Sequence, residues 1–413
     1  MPSRLRSLLL LCSLLASVKA NAAPAAAPAA ASGPRRALVL LIPEDKGAYG
    51  PTARFSEYLE TAVGKNPAYL LRESTKIMGD TTPQEALDAR QKVAAALNDG
   101  RKKLTAGQVE DAETSLRAAI KEVDAAAAAM EKCGELCDAL ALLSSVQLMK
   151  GDEPGARETL KQVLAIDKSY RFEGTSFGQN YQIILKDVRR AMSHEGILGN
   201  ISTYSTPPGA RVFLDGVQRG YTPTIIEHVA AGKHLIRFER AGSITSGQLI
   251  DVNGTADAVA KATLSPTPEF QSLEALLDKI AGDVRKGEPG ADTLRLGAKL
   301  KVDRALVGTV STTGESRVLL DCFLVDFGTK KKLSRLNRAF DGDEFGQLER
   351  EVQKFGNLLM AEGENRVDPK KKPSKDPLDD RTGMEDWGEE QRGGDEPKSS
   401  NPRQGNKGGS DGE

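Results

Sequence analysis

Short apolar segments divided by glycines and prolines occupy residues 198–264, and they constrain the fold more than any other feature of the sequence. The segments at 211–214 and 233–238 combine aliphatic, aromatic and β-branched residues in runs whose length is typical of strands. Asp215-Gly216 supplies a two-residue turn that tolerates positive φ, and such a turn fixes the register of the strands on either side. The stretch therefore predicts a small all-β module.

The order of turn motifs in this module resembles the PEGA family. Residues 205–210 read S-T-P-P-G-A, where that family has S-x-P-x-G-A, and three further turn motifs follow in the family's order. The motif residues are Pro207, Gly209, Ala210, Asp215, Gly216, Gly220, Thr222, Pro223 and Gly232. The resemblance implies a β-sandwich at 197–265, of a kind found in prokaryotic surface and envelope proteins, whose motif residues shape turns. One departure is Gly242-Ser243, where the family more often has glycine and an aromatic residue.

An internal repeat lies within the helical segment at 84–196. When residues 107–112 are laid on 151–156, glycine and alanine match at the same offset, and the match continues with Leu116 on Leu160. A tight turn is thus followed twice by a helix with the same apolar stripe, which predicts helical hairpins. The segment resembles tetratricopeptide repeats, although its 44-residue spacing is longer. Such surfaces usually bind peptides or proteins, and a helical spacer is the alternative hypothesis.

Two stretches with mixed helix and strand patterns flank these modules. The first, at 37–83, opens with a continuous apolar run that is typical of a strand buried on both faces. The second, at 266–361, predicts helices, a strand meander and a closing helix. Together they resemble the TolB amino-terminal and curli-secretion type of envelope domain. The residues that show the resemblance are Leu296-Gly297, residues 306–310 and residues 326–329. We expect one domain split in sequence; two independent small domains are the alternative.

The first 22 residues have the pattern of a secretory signal peptide. Arg4 and Arg6 precede an apolar core at 8–15, and Ala20-Asn21-Ala22 offers small residues for cleavage. An Ala/Pro-rich linker follows at 23–36. Lipidation at Cys12 is a weaker alternative, because that cysteine sits inside the apolar core. Since no later segment has the apolar length of a membrane span, we expect a secreted protein without a transmembrane segment.

Three cysteines remain after the predicted signal peptide. In an oxidising compartment Cys133 and Cys137 could pair as a disulfide. Residues four apart share one face of a regular helix, but a disulfide there needs favourable Cβ geometry, so pairing depends on whether Gly134 breaks the helix. The sequence leaves both states open. Cys322 falls in a predicted strand, where we expect a buried thiol.

The C-terminal residues 362–413 are rich in Pro, Gly, Ser and charged residues and have almost no apolar side chains. Such a composition cannot bury enough surface to offset chain entropy, so a disordered tail is predicted. Trp387, the only tryptophan, is a candidate docking motif within it. A tryptophan with no such role is the alternative.

Two motifs that carry chemistry are missing from the sequence. It contains no HExxH or GxxxxGK[ST] pattern, and we predict no catalytic, cofactor-binding or metal-binding residue. A net charge of −1 argues against a nucleic-acid partner. The predicted fold class is multidomain α+β: a split mixed-sheet domain with inserted tetratricopeptide-like α-helical hairpins, a PEGA-type β-sandwich and a disordered tail.

The expected function follows from these modules. We expect a non-enzymatic cell-envelope adaptor or scaffold that binds envelope proteins, of unspecified identity, in the periplasm or at the cell surface. The alternative is a protein that binds cell-wall or surface polysaccharide.

Overall fold

The computed structural model describes residues 33–79, 81–173, 177–313, 317–341 and 347–367. The predicted signal peptide at 1–22, most of the linker at 23–36 and the candidate docking residue Trp387 lie outside these ranges. Within them, the protein is a mixed α+β structure with ten α-helices and three β-sheets.

The elements follow one another in four groups. The chain opens with β1 (Arg35–Pro43), α1 (Tyr49–Lys65), β2 (Tyr69–Leu71) and α2 (Ser74–Ile77). Next come α3 (Gln84–Thr105), α4 (Val109–Ala126), α5 (Gly134–Met149), α6 (Glu153–Ile166) and α7 (Gln179–Glu195), which we call the helical layer. Then come β3 (Leu198–Thr206), β4 (Arg211–Leu214), β5 (Val217–Tyr221), β6 (Thr224–Ala230), β7 (Gly232–Glu239), β8 (Ser246–Val252) and β9 (Ala258–Thr263). The last group is α8 (Pro268–Lys286), α9 (Ala291–Leu300), β10 (Arg304–Thr313), β11 (Arg317–Asp326), β12 (Lys331–Phe340) and α10 (Leu348–Val367).

The first and last groups share one five-stranded sheet, which we call the mixed sheet. Its strand order is β12-β11-β10-β1-β2. β1 pairs in parallel with β10 on one side and with β2 on the other, while β10, β11 and β12 form an antiparallel meander. The central strand β10 therefore comes from near the end of the described chain and its neighbour β1 from the start.

Both faces of the mixed sheet are covered by helices. Alternate β1 side chains such as Val39 pack with α1 and α10, and the intervening ones such as Leu40 pack with α8 and α9. Because each face needs apolar side chains, the strand is apolar at consecutive positions rather than at every second one. The continuous apolar run in the sequence has this physical origin.

The helical layer contains two hairpins with the same turn. Gly107, between α3 and α4, has φ 76°, and Gly151, between α5 and α6, has φ 79°. At both turns the residue after the glycine donates its amide to a carbonyl five residues earlier, at 2.9 Å for Gln108 and 2.8 Å for Asp152. The residues that follow are buried in matching positions, Ala112 with Ala156 and Leu116 with Leu160.

Strands β3 to β9 form two sheets with a common core, and we call residues 198–267 the two-sheet unit. One sheet has the order β6-β3-β9 and the other β5-β4-β7-β8. Ile201 from the first sheet and Val212, Ile236 and Phe238 from the second belong to one buried cluster. This core is small compared with that of the mixed sheet, so contacts with neighbouring segments matter for its position.

Two predicted boundaries differ from the structure. β1 begins at Arg35, inside the predicted linker 23–36, and the Arg36 side chain bonds to Asp303 at 2.8 and 3.1 Å. α10 runs to Val367, past the predicted tail boundary at 362. Contacts distant in sequence explain the second difference, because Glu364 pairs with the buried Arg304. The remainder of the predicted tail lies outside the described residues.

The buried Arg304 is the polar centre of the mixed sheet. Its guanidinium donates to Asp326 at 3.0 Å and to the Tyr69 hydroxyl at 2.9 Å, and that hydroxyl donates to Glu364 at 3.0 Å. Burial, which outweighs the nearby Arg304 charge, raises the pKa of Tyr69 to about 12. The network joins β10, β11, β2 and α10 in one place.

Candidate functional site

The predicted PEGA motif residues form the turns of the two-sheet unit. Asp215 and Gly216 have φ values of 53° and 84°, so the two-residue connection between β4 and β5 has both residues in the left-handed region. Gly209 and Gly232 also have positive φ, at 82° and 137°. A positive φ favours glycine, which explains the residue type at 209, 216 and 232, and aspartate at position 215 is a residue type that tolerates this region in tight turns.

Thr222 joins two of the motif segments. This buried residue accepts a hydrogen bond from the amide of Ala210 at its Oγ1 (3.0 Å), and its carbonyl accepts from the amide of Gly209 (2.8 Å). The Ser205 hydroxyl lies 2.5 Å from the Thr222 hydroxyl. The peptide bonds before Pro207 and Pro223 are both cis. Residues 205–210 and 220–223 therefore form one hydrogen-bonded cluster.

Three motif glycines also touch other parts of the chain. A Cβ atom on Gly209 would lie 2.7 Å from the backbone oxygen of Tyr49 in α1. A Cβ on Gly216 would lie 2.7 Å from the backbone oxygen of Glu131, and one on Gly232 would lie 2.7 Å from the Gln162 side chain. Gly209 and Gly216 therefore allow close backbone approach between the two-sheet unit and its neighbours, and Gly232 leaves room for the Gln162 side chain, in addition to turning the chain.

Polar bonds connect the two-sheet unit to the helical layer. The Gln162 amide on α6 bonds to both the amide and the carbonyl of Lys233, at 2.8 and 2.5 Å. Asp124 on α4 accepts a bond from the amide of Leu249 at 2.7 Å. Each bond satisfies a backbone group of β7 or of the edge strand β8, so the helical layer adds to the hydrogen bonding of that sheet.

The Asp215 carboxylate lies at the same junction. Its Oδ1 accepts from the Leu235 amide at 2.9 Å and lies 3.5 Å from the Cys133 sulfur, while its Oδ2 is 2.6 Å from Nδ1 of His234. Nε2 of His234 is 2.7 Å from the carbonyl oxygen of Ala230. A cavity of about 600 Å³ adjoins these groups, between α5, α6 and the two-sheet unit. Asp215 therefore acts as a turn residue and as a contact to the helical layer.

His234 is buried between two hydrogen-bond acceptors. Burial acts to lower the pKa of the imidazole, but the bond to Asp215, its negative charge and the bond to Ala230 together raise that pKa above 6.5. A carboxylate and a carbonyl oxygen both accept, so only the protonated ring, which has two N–H donors, satisfies both bonds. The junction favours an imidazolium.

The structure holds Cys133, Cys137 and Cys322 as free, buried thiols. Gly134 is the first residue of α5, and the Cys137 amide donates to the Cys133 carbonyl at 2.8 Å, so the first two cysteines lie across a regular helical turn. Burial raises the pKa of all three thiols, which disfavours the reactive thiolate. The disulfide between Cys133 and Cys137 is not formed in this structure and stays a prediction for the oxidised protein.

The two-sheet unit also contacts the mixed-sheet region. The Tyr221 hydroxyl, next to the motif residue Thr222, bonds to Glu57 on α1. Thr267 caps α8 by accepting from the Phe270 amide at 3.2 Å, and its hydroxyl donates to the carbonyl of Met78. Phe270 packs against Gly242, at the position where the sequence departs from the PEGA pattern. The unit is thus held between the helical layer and the mixed sheet.

A groove on the helical layer carries exposed apolar side chains. It has a volume of about 860 Å³ and lies where α5, α6 and the start of α7 meet. Met149 and Ile183 line it and are 54% and 56% exposed, which is high for large apolar residues. Arg157 and Glu153 place charges along its edge. Such a groove has the character of a surface for an extended or helical peptide.

Within the described ranges, no cluster of three or more His, Cys, Asp or Glu side chains could hold a metal ion. The helices of those ranges also lack the combination of length and apolar character that crossing a membrane requires.

Comparison with known proteins identifies one part of the chain. The PEGA domain family matches residues 198–267, which is the two-sheet unit. This confirms the predicted PEGA resemblance, and such domains are typical of extracellular or periplasmic proteins. No curated protein and no solved structure gives a significant match to the chain.

Sequence reasoning missed the contacts made by the motif residues. It assigned Asp215, Gly216 and Gly232 to turns, whereas the structure also places them against the helical layer. The contact of His234 with Asp215 is also not predicted from the sequence. The available signal was His234 near the start of β7 together with Asp215 in the turn between β4 and β5. The sequence alone does not show that these two segments are neighbours.

Proposed function

We propose that this protein is a non-enzymatic scaffold of the bacterial cell envelope that binds a protein partner through the groove on its helical layer. The observation that carries the proposal is the pair of exposed apolar residues, Met149 and Ile183, in that groove. Exposed apolar surface of this kind is costly in water and is typical of binding sites. In this proposal the groove takes an apolar anchor from a segment of the partner.

The architecture supports a scaffold. The two matched turns at Gly107 and Gly151 support tetratricopeptide-like hairpins, and the pairing of β1 with β10 supports a split domain of the TolB amino-terminal or curli-secretion type. The two-sheet unit would keep the helical groove at a fixed position relative to the mixed sheet. The signal-peptide pattern and the PEGA domain support an extracytoplasmic location.

A second candidate function is binding of cell-wall or surface polysaccharide by the two-sheet unit. The observation that favours it is the outer face of the β6-β3-β9 sheet, where Tyr204, Ile225 and Val259 are exposed. An exposed aromatic ring among apolar and hydroxyl side chains can stack on a sugar. This face is separate from the helical groove in sequence, so point variants can distinguish the two.

The test is an affinity pull-down from an envelope extract with matched point variants. Ile183→Lys alters the groove and Ile225→Lys alters the outer sheet face, and the two side chains are similarly exposed, at 56% and 58%. The proposal expects named envelope proteins to be retained by the parent protein and by the Ile225 variant, and to be lost from the Ile183 variant. Loss only from the Ile225 variant, or retention of insoluble wall polymer alone, would favour the second function.

Point variants are preferable to deleting the helical layer. Removing residues 84–193 would expose Leu235, which is buried against that layer, and would leave the Leu249 amide without Asp124. Lost binding would then have two explanations.

A further inference from the structure

A cleft of about 130 Å³ lies where α1, the two-sheet unit and α8 meet. α1 contributes Thr52 and Glu60 to its lining, the two-sheet unit contributes Arg211 and Arg240, and α8 contributes Phe270. The cleft is separate from the helical groove and from the outer sheet face. Its lining combines an apolar part with several charged groups.

The negative charges around the cleft are engaged by other groups. Glu57 bonds to Tyr221 and to Gln218, and Glu239 pairs with Arg237 at 3.1 Å. Glu60 accepts a bond from the amide of its cleft neighbour at position 74 (2.9 Å), and burial raises the pKa of this carboxyl.

The positive charges are not engaged in the same way. Arg240 bonds to the hydroxyl of Ser243 at 3.3 Å and lies 5.9 Å from the ring centre of Phe270, and burial lowers the pKa of its guanidinium. Within the described residues, neither Arg240 nor Arg211 forms an ion pair with a carboxylate; Glu274 acts on Arg240, and Arg211 on Glu60, only through space. A desolvated cation such as Arg240 is unfavourable without a directly paired anion, so the cleft favours an anionic group beside it.

Thr52 gives independent support. Thr52 lines the cleft, and its buried hydroxyl makes no hydrogen bond within the described part of the chain. Buried hydroxyl groups nearly always have a partner, because an unmade bond costs about 1–3 kcal/mol. The unpaired hydroxyl therefore marks a position where a ligand atom would be stabilised.

We propose that this cleft binds a small organic carboxylate. The carboxylate would lie between Arg211, Arg240 and the Thr52 hydroxyl. Its apolar body would pack against Met78 and Phe270, which line the other part of the cleft. The volume limits the size, because the cleft is slightly smaller than a cavity of about 150 Å³ that accepts a benzene ring. A ligand with one ring or a short branched chain would therefore fill the cleft and extend to its mouth.

The first experiment uses the full chain with benzoate and its uncharged analogue benzamide. Both have the same size and apolar ring, so calorimetric titration of each isolates the contribution of the carboxylate. We expect benzoate to bind at least about tenfold more tightly, because hydrogen bonds to a charged group contribute about 1.5–3 kcal/mol. Equal affinity for the two, or no benzoate binding at millimolar concentration, would overturn the proposal.

Variants then locate the site. Arg240→Gln keeps a polar side chain beside Ser243 but removes the charge, and Thr52→Val replaces the unpaired hydroxyl with a methyl group of similar size. Each is expected to weaken benzoate binding, by about tenfold for Arg240→Gln and by severalfold for Thr52→Val. Arg338→Gln is the matched control, since Arg338 also lies over a phenylalanine ring, 5.3 Å from that of Phe340, but does not line the cleft.

Unchanged affinity in both cleft variants would place benzoate elsewhere and refute the site. If Arg240→Gln fails to fold, Thr52→Val and the comparison of benzoate with benzamide still decide the question, because neither depends on that variant.

Discussion

The mixed sheet and the two-sheet unit are held in place by different physical means. The mixed sheet is buried on both faces by helices, and its polar centre is a buried arginine with carboxylate and hydroxyl partners. The two-sheet unit has a small core of its own and is positioned by turn glycines that touch the backbone of neighbours and by side chains such as Gln162 and Asp124. The position of the mixed sheet depends on buried apolar area, whereas that of the two-sheet unit depends on close contacts at a few points.

This difference predicts different sensitivities to mutation. Apolar contacts in a large core are numerous, so a single conservative change is absorbed by many neighbours. A turn glycine in contact with backbone leaves no room for even one methyl group. We expect the mixed sheet to be sensitive to loss of charge pairing and the two-sheet unit to be sensitive to added atoms.

Loss of the buried arginine should have the largest effect. Arg304→Ala leaves the buried Asp326 carboxylate without its charge partner, and removing one member of a buried pair costs about 3–5 kcal/mol. Hydrogen exchange followed by mass spectrometry should show faster exchange in β10, β11 and the end of α10. Arg338→Ala is the control, since that side chain is 45% exposed and its pair with Glu351 is long at 3.7 Å. Similar effects for the two variants would contradict the claim that the buried Arg304 pairing stabilises the mixed sheet.

A methyl group at a motif turn should have the next largest effect. Gly209→Ala combines a positive φ with a Cβ only 2.7 Å from the Tyr49 carbonyl, so we expect a loss of about 2–4 kcal/mol in unfolding free energy. Gly107→Ala is the matched control: its φ is similarly positive at 76°, but nothing lies within 4 Å of the added atom. Denaturant titration should show at least about 1 kcal/mol between the two variants. No difference would mean that the contact with α1 does not constrain the unit.

The junction with the helical layer should add a pH dependence, which is the smallest of the three effects because neutral His234 keeps one of its two bonds. The pKa of His234 is raised on folding, so its contribution to stability is fully present below pH 6.5, the unfolded value, and is lost as pH rises through the folded pKa. The difference in melting temperature between the parent protein and His234→Gln should be largest at acidic pH and shrink as pH rises. A difference in melting temperature that grows with pH would contradict a raised pKa for His234.

Local patterns in the sequence were sufficient to predict most elements. The apolar run at β1, the glycine turns at Gly107 and Gly151, and the Asp215-Gly216 turn each leave a signal within a few residues. The predicted fold class is confirmed at the coarse level of a mixed α+β protein. These successes share a cause, since periodicity and turn chemistry are set by neighbours along the chain.

Contacts distant in sequence were not predictable. The length of α10 depends on Glu364 meeting Arg304, and the state of His234 depends on Asp215 across a strand pair. The cleft arginines come from the two-sheet unit, whereas Thr52 comes from α1. A single sequence does not show which of these segments become neighbours, so none of the three could be inferred from it.

The pairing of β1 with β10 has a consequence for the order of folding. Arg36 and its partner Asp303 are 267 positions apart, and contacts of such separation form slowly because a long loop must close first. During synthesis, the helical layer and the two-sheet unit emerge before β10 has been made. They can therefore fold while β1 has only β2 as a pairing partner. A chain stopped before residue 304 would leave the apolar edge of β1 unpaired and prone to aggregation or proteolysis. Closure of the mixed sheet therefore requires that the chain has been synthesised at least through β10.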